Sequence, residues 1–321
     1  MHSLIPPRAI ILFVFLASCV GPACARHGTT PAGGDAGAAR SGLPPAAGSI
    51  AADGGSIDAS AGASTDVAKP EVLEGYPWQM DLDDVLDDGG VAKPKLGVVS
   101  VPLGAREPRP IMLALHGGSD RPEWSCSAWR GVVAAYPFLV CPRGAGGNES
   151  ALGWIGLGDT KTRLARAISA TKKIFGKWVR ADVPVVIVGF SMGATQAALL
   201  AQSEPQVYRR VALVESSYNV DPAIGFAAPW ARGGGERALF GCTTSGCEAP
   251  YRKATSNVAA QKRPSRLNVA GTRDHGMWAD VVRSLRRDWP WVVEDTPGWE
   301  TYQPPVEESE LPGRTERFDP R

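Results

Sequence analysis

Histidine is scarce in this chain: 321 residues hold four, and two of these, His2 and His27, fall in an N-terminal stretch that precedes any foldable pattern. Chemistry that needs an imidazole has only His116 and His275 to draw on. An excess of either charge is lacking as well. The 34 Lys and Arg offset 33 Asp and Glu to leave a net charge of +1, with the cations spread rather than clustered. That removes the electrostatic footprint of a nucleic-acid binder and leaves a small or neutral substrate as the expected partner. No internal repeat is present, which excludes a solenoid or propeller. CTTSGC (242–247) has neither a second ligand pair nor a nearby histidine, so no zinc site is expected there, and no metal or cofactor elsewhere. The hydrophobic fraction of 44% is ordinary for a globular chain.

What is present begins with an export signal. Arg8 precedes the apolar run AIILFVFLA (9–17), which has the length of a signal core and is too short to span a bilayer comfortably. Leu16-Ala17-Ser18-Cys19 follows and resembles the lipobox of bacterial lipoproteins, which implies a signal over 1–18, lipidation of Cys19 and an envelope location outside the cytoplasm. Cleavage near Ala23-Cys24-Ala25 and plain secretion is the alternative. Residues 19–71 are Gly, Ala, Ser, Pro and Asp with few large apolar side chains, the composition of a flexible tether. The tail 301–321 is Pro- and charge-rich and is expected to be loose. The folded part is then 72–300, one domain, expected to be monomeric. Setting aside Cys19 and Cys24, four cysteines remain: Cys126, Cys141, Cys242 and Cys247. An even number in an exported protein predicts two disulfides, with three connectivities possible.

Within the domain, short β-branched runs bounded by Gly or Pro predict strands at 96–104, 111–118, 138–144, 183–191, 210–217, 236–242 and 266–271. Helical spacing predicts helices at 160–179, 193–204, 249–262 and 277–289. The first carries Arg163, Arg166, Lys172, Lys173 and Lys177 and reads as a solvated face. Alternating strands and helices imply an α/β domain with a mostly parallel central sheet covered on both faces, and ligands at the carboxyl ends of the strands.

One of those strand ends is chemically marked. VPVVIV runs into Gly189-Phe190-Ser191-Met192-Gly193 and then into ATQAALLA, a strand–turn–helix passage with the pattern G-x-S-x-G. Glycines on both sides let strand and helix approach around a strained serine whose hydroxyl is exposed. Upstream, Leu115-His116-Gly117-Gly118 closes another predicted strand. With these two motifs the chain resembles the α/β-hydrolase superfamily, in particular its exported esterases and polyester depolymerases, over most of 95–290.

The resemblance implies an α/β-hydrolase fold, Ser191 as nucleophile, and an oxyanion hole made by the N–H of Met192 with an N–H of Gly117 or Gly118. His116 would then be scaffold. His275, after the eighth strand, would be the general base, and chain order and scarcity both favour it. The loop after the seventh strand, where such hydrolases usually carry Asp or Glu, here reads CTTSGC. The acid is left among Glu215, Asp221, Glu248 and Asp274, with Glu215 preferred at the end of the sixth strand. The fold so implied pairs Cys126 with Cys141 and Cys242 with Cys247. Trp124, Trp129, Trp154, Trp230 and Trp278 fall near the strand ends; Trp154 and Trp278 are the expected pocket residues. The segment 219–237 is expected to be a loop rather than a cap, and Trp289-Pro290-Trp291 to end the last helix. The expected activity is carboxylic-ester hydrolysis on a small or polymeric substrate. The alternative is a noncatalytic binding lipoprotein on the same fold.

Overall fold

The computed structural model describes residues 71–83, 95–148, 151–216, 225–271, 274–306 and 310–320. The signal, the lipobox, Cys19 and most of the tether lie outside the described residues, as does Asp221. Nine strands follow one path through a sheet: β1 (Gln79–Asp83), β2 (Lys95–Ser100), β3 (Arg109–Leu115), β4 (Phe138–Pro142), β5 (Val186–Phe190), β6 (Arg210–Val214), β7 (Arg237–Cys242), β8 (Ser265–Val269) and β9 (Arg314–Phe318). Their spatial order is β1-β2-β4-β3-β5-β6-β7-β8-β9. β4, β3 and β5 to β8 run parallel, while β1, β2 and β9 are joined antiparallel at the two edges.

The parallel strands read as continuous apolar runs, FLVCP, VIVGF and RVALV, because both of their faces are covered. Alternation along each strand then divides the core in two. Leu113, Ile187, Leu213 and Phe240 point to one face, where α2 (Leu157–Phe175), α3 (Met192–Ser203), α4 (Ala227–Arg232) and α5 (Ser245–Ala260) pack. Met112, Ala114, Val186, Val188, Ala212 and Leu239 point to the other, beneath α1 (Pro122–Val132) and α6 (Ala279–Val293). The disulfide Cys126–Cys141 ties α1 to β4, and Cys242–Cys247 ties the end of β7 to the first turn of α5.

Three departures from expectation lie in the C-terminal half of the chain. The C-terminal tail is not loose over its length: β9 pairs with β8 from Ser265 opposite Phe318 to Val269 opposite Arg314. Its charges mislead a compositional reading because they are partnered. Arg252 grips Glu316 with two bonds of 2.9 and 2.6 Å, and Thr315 donates to buried Asp288 at 2.6 Å. Helix α6 continues past Trp289-Pro290-Trp291 to Val293, with Trp289 wedged between Trp129 and Trp299. Within 219–237, where a loop was expected, residues 227–232 form α4, anchored by Trp230, whose indole N–H donates to the carbonyl of Tyr208 at 2.8 Å.

Candidate active site

Ser191 sits between β5 and α3 with φ 52° and ψ −123°, a left-handed conformation that a residue with a side chain adopts only under constraint. The constraint comes from its neighbours. The Ser191 N–H donates to the carbonyl of Val214 at 2.8 Å, which extends the β5–β6 pairing through the turn. A Cβ on Gly189 would lie 2.4 Å from the carbonyl carbon and oxygen of Gly193, and one on Gly193 would lie 2.1 Å from the carbonyl oxygen of Leu115. Both positions of the motif are therefore closed to any side chain, and the turn is pressed against the end of β3.

The segment leaving β3 lies against this turn. A Cβ on Gly117 would meet the Phe190 ring at 3.2 Å and the Ser191 Cβ at 3.4 Å; one on Gly118 would meet the Met192 methyl at 3.1 Å. The Gly117 N–H donates to Oδ2 of Asp120 at 3.2 Å, and the Ser119 N–H to the carbonyl of Leu152 at 2.7 Å. Among the described residues the Gly118 N–H has no such partner. His116 is fully buried; its Nδ1 bonds the Gly117 carbonyl at 2.7 Å and its Nε2 accepts from the Gly144 N–H at 3.0 Å. That pattern requires a neutral imidazole protonated on Nδ1, and burial pushes its pKa down in the same sense.

Trp154 is part of this scaffold rather than of an open pocket. Its indole stacks on the His116 ring at 4.8 Å, its N–H donates to the His116 carbonyl at 2.9 Å, and it is only 8% exposed. The expected pocket role is corrected by that burial: the apolar face is spent on His116. Trp278 is 54% exposed, with its indole folded toward Gly276.

Across the turn, Nδ1 of His275 lies 3.0 Å from Oε2 of Glu215. The His275 ring packs on Phe190 with centroids 4.6 Å apart, so the residue before Ser191 touches both the imidazole and, on the Gly117 side, the loop from β3. Glu215 follows β6 with φ 49° and is held by its N–H to the Gly241 carbonyl at 2.9 Å. Its carboxylate is completely buried. Thr243 donates to Oε2 and Thr244 to Oε1. Burial pushes the carboxyl pKa up, but the bonds from His275, Thr243 and Thr244 together outweigh it and hold the group below its ordinary value, ionised.

Two of the other candidate acids, Glu248 and Asp274, are among the described residues. Glu248 is engaged by Arg314 at 2.5 Å and Arg252 at 3.6 Å, and Asp274 is exposed beside the histidine. Sequence reasoning missed Thr243, Thr244, Asp120 and Phe190. Only the threonines left a trace, as the hydroxyl pair in the acid-free loop CTTSGC. Among the described residues no group of three His, Cys, Asp or Glu side chains is arranged to hold a metal.

The strand order, helices on both faces and the strained serine between β5 and α3 are those of the α/β-hydrolase fold. No protein-family model and no curated relative matches the sequence. Among solved structures, the chain is similar to the Bacillus cereus carboxylesterase, at 13% identity over 57% of this chain and 89% of that one, TM-score 0.43. It is likewise similar to Est1E from Butyrivibrio proteoclasticus with ferulic acid bound, at 12% over 67% and 99%, TM-score 0.47. A third is the substrate-bound fluorophosphonate-binding serine hydrolase F of Staphylococcus aureus, at 13% over 68% and 98%, TM-score 0.47. Likeness at this level assigns neither activity nor substrate to the chain.

Proposed function

We propose that this protein is a serine hydrolase acting on carboxylic esters. The observation that carries the reading is the ionised Glu215 at 3.0 Å from His275, with that imidazole packed on the residue preceding a strained Ser191. In the proposed cycle, His275 Nε2 takes the proton of Ser191 Oγ as the oxygen bonds the ester carbonyl carbon. The carbonyl oxygen becomes an oxyanion held by the amides of Met192 and Gly118, since the Gly117 amide is committed to Asp120. The alkoxy bond breaks, the proton passes from His275 to the departing alcohol, and an acyl group remains on Ser191. Water then attacks that acyl group, His275 takes a proton from it, and the acid leaves as Ser191 recovers its hydrogen. Glu215 stays ionised throughout, orients the imidazole and stabilises its charged form.

The lack of a carboxylate after β7 was the one motive for a noncatalytic binding protein, and Glu215 supplies that carboxylate from β6. We further propose export and lipid attachment at Cys19, on the strength of the Arg-led apolar run and LASC. The test is covalent labelling by a fluorophosphonate probe and turnover of a short-chain nitrophenyl ester. Wild type should show both, and Ser191→Ala neither. A wild-type protein that is folded but silent in both assays overturns the hydrolase reading. Radiolabelled palmitate incorporated by wild type and not by Cys19→Ala tests the anchor; no incorporation by wild type rejects it.

A further inference from the structure

The loop after β7 lacks an acid but faces the buried carboxylate with two hydroxyls. Thr243 is fully buried and donates to Oε2, the oxygen that also meets His275; Thr244 donates to Oε1. The loop that carries them is closed on itself by Cys242–Cys247, five residues apart. From the next helix, the Tyr251 hydroxyl accepts from the Ser216 N–H at 2.5 Å, at the same strand end. The groups turned toward the Glu215 carboxylate include one imidazole from the loop after β8 and two alcohols from the loop after β7.

A carboxylate taken fully out of water needs donors for its lone pairs, and an imidazole supplies only one. His275 meets Oε2, and Thr244 supplies a donor to Oε1. Hydroxyls meet the need without adding a second negative charge, which a carboxylate in the loop would bring against Glu215. A loop stapled at both ends presents them at fixed positions.

We infer that Thr243 and Thr244, in a loop stapled by Cys242–Cys247, are positioning residues for the reaction: they hold the Glu215 carboxylate ionised and aimed at Nδ1 of His275, in a loop where such hydrolases usually carry the acid itself. The inference rests on the hydrolase reading for its catalytic consequence, but the contacts it names can be tested without turnover.

The experiment compares wild type with Thr243→Val/Thr244→Val and Thr243→Ser/Thr244→Ser, using ester turnover against pH and an NMR titration of the His275 imidazole. Removing two donors leaves the carboxylate less stabilised, so the Glu215–His275 pair binds a proton more readily. The valine pair should lower kcat about tenfold, roughly the worth of a hydrogen bond to a charged group, with KM little changed. Its acid limb and the imidazole titration should both move to higher pH. The serine pair should stay close to wild type. Should the valine pair fail to fold, Thr244→Val alone, which removes the donor to Oε1, should move the titration in the same direction by less.

A folded valine variant with wild-type kcat and an unmoved titration overturns the inference, as does a serine pair as impaired as the valine pair. Failure of the hydrolase reading shows separately, as a wild type with no Ser191-dependent turnover. The imidazole titration still decides the role of the threonines in that event.

Discussion

The Glu215 carboxylate meets the His275 imidazole at 3.0 Å from the end of β6, while the loop after β7 offers it only alcohols. That arrangement makes stability depend on acid. The carboxyl pKa in the folded protein is lowered, so the stabilisation it provides is complete above its unfolded value near 4.5 and is lost as pH falls through the lower folded value. Urea unfolding of Glu215→Gln should show lower stability than wild type at pH 6 and a gap that narrows below pH 4.5. A gap that stays constant or widens on acidification contradicts the assignment.

The two glycines near Ser191 differ in what surrounds them. A Cβ on Gly193 meets backbone on β3 at 2.1 Å, which no rotamer change relieves; one on Gly118 meets the flexible end of Met192 at 3.1 Å. Gly193→Ala should cost about 3 kcal/mol or more, seen as a large fall in Tm. Gly118→Ala should melt close to wild type while lowering kcat, since it disturbs Met192 and the amide proposed for the oxyanion. Equal melting temperatures for the two variants would refute this contrast.

The disulfides should contribute unequally. Cys126–Cys141 closes a span of 15 residues and Cys242–Cys247 a span of 5. Chain entropy then assigns about 3 kcal/mol to the first and about 2 kcal/mol to the second. Double-alanine variants compared by denaturant unfolding should rank in that order, with the Cys242/Cys247 variant showing the larger loss of kcat relative to its loss of stability. The reverse ranking in stability would point to native-state contacts outweighing loop entropy.

Strand β9 covers the outer edge of β8. Truncation after residue 306 should expose that edge and raise self-association, read by light scattering. Thr315→Val, which removes one donor to buried Asp288 but leaves Arg266 at 3.0 Å and Asn268 at 2.8 Å, should cost about 1.5 kcal/mol without aggregation. A truncated protein that stays monodisperse at high concentration would show the edge to be protected by other means.

Much of the fold was legible because its signals are local. VIVGF and RVALV announce buried parallel strands, and the glycines of GFSMG announce the turn, since only a missing Cβ permits the approach of α3 to β3. β9 was not legible: RTERF has no continuous apolar run, and its pairing depends on Arg252 from another element. Trp154 was placed near the serine, yet which way its indole faces was settled by His116.

The sequence by itself determined the layered α/β architecture, the serine turn, and the presence of one foldable histidine outside the loop after β3, because periodicity, backbone strain and scarcity are properties of short stretches or of simple counts. Tertiary structure alone decided that Glu215 rather than Glu248 or Asp274 faces His275, that two threonines donate to its carboxylate, and that residues 314–318 join the sheet. Each of these turns on which distant segments share a few ångströms of buried space, and hydrogen bonding there is chosen by geometry that no local pattern encodes.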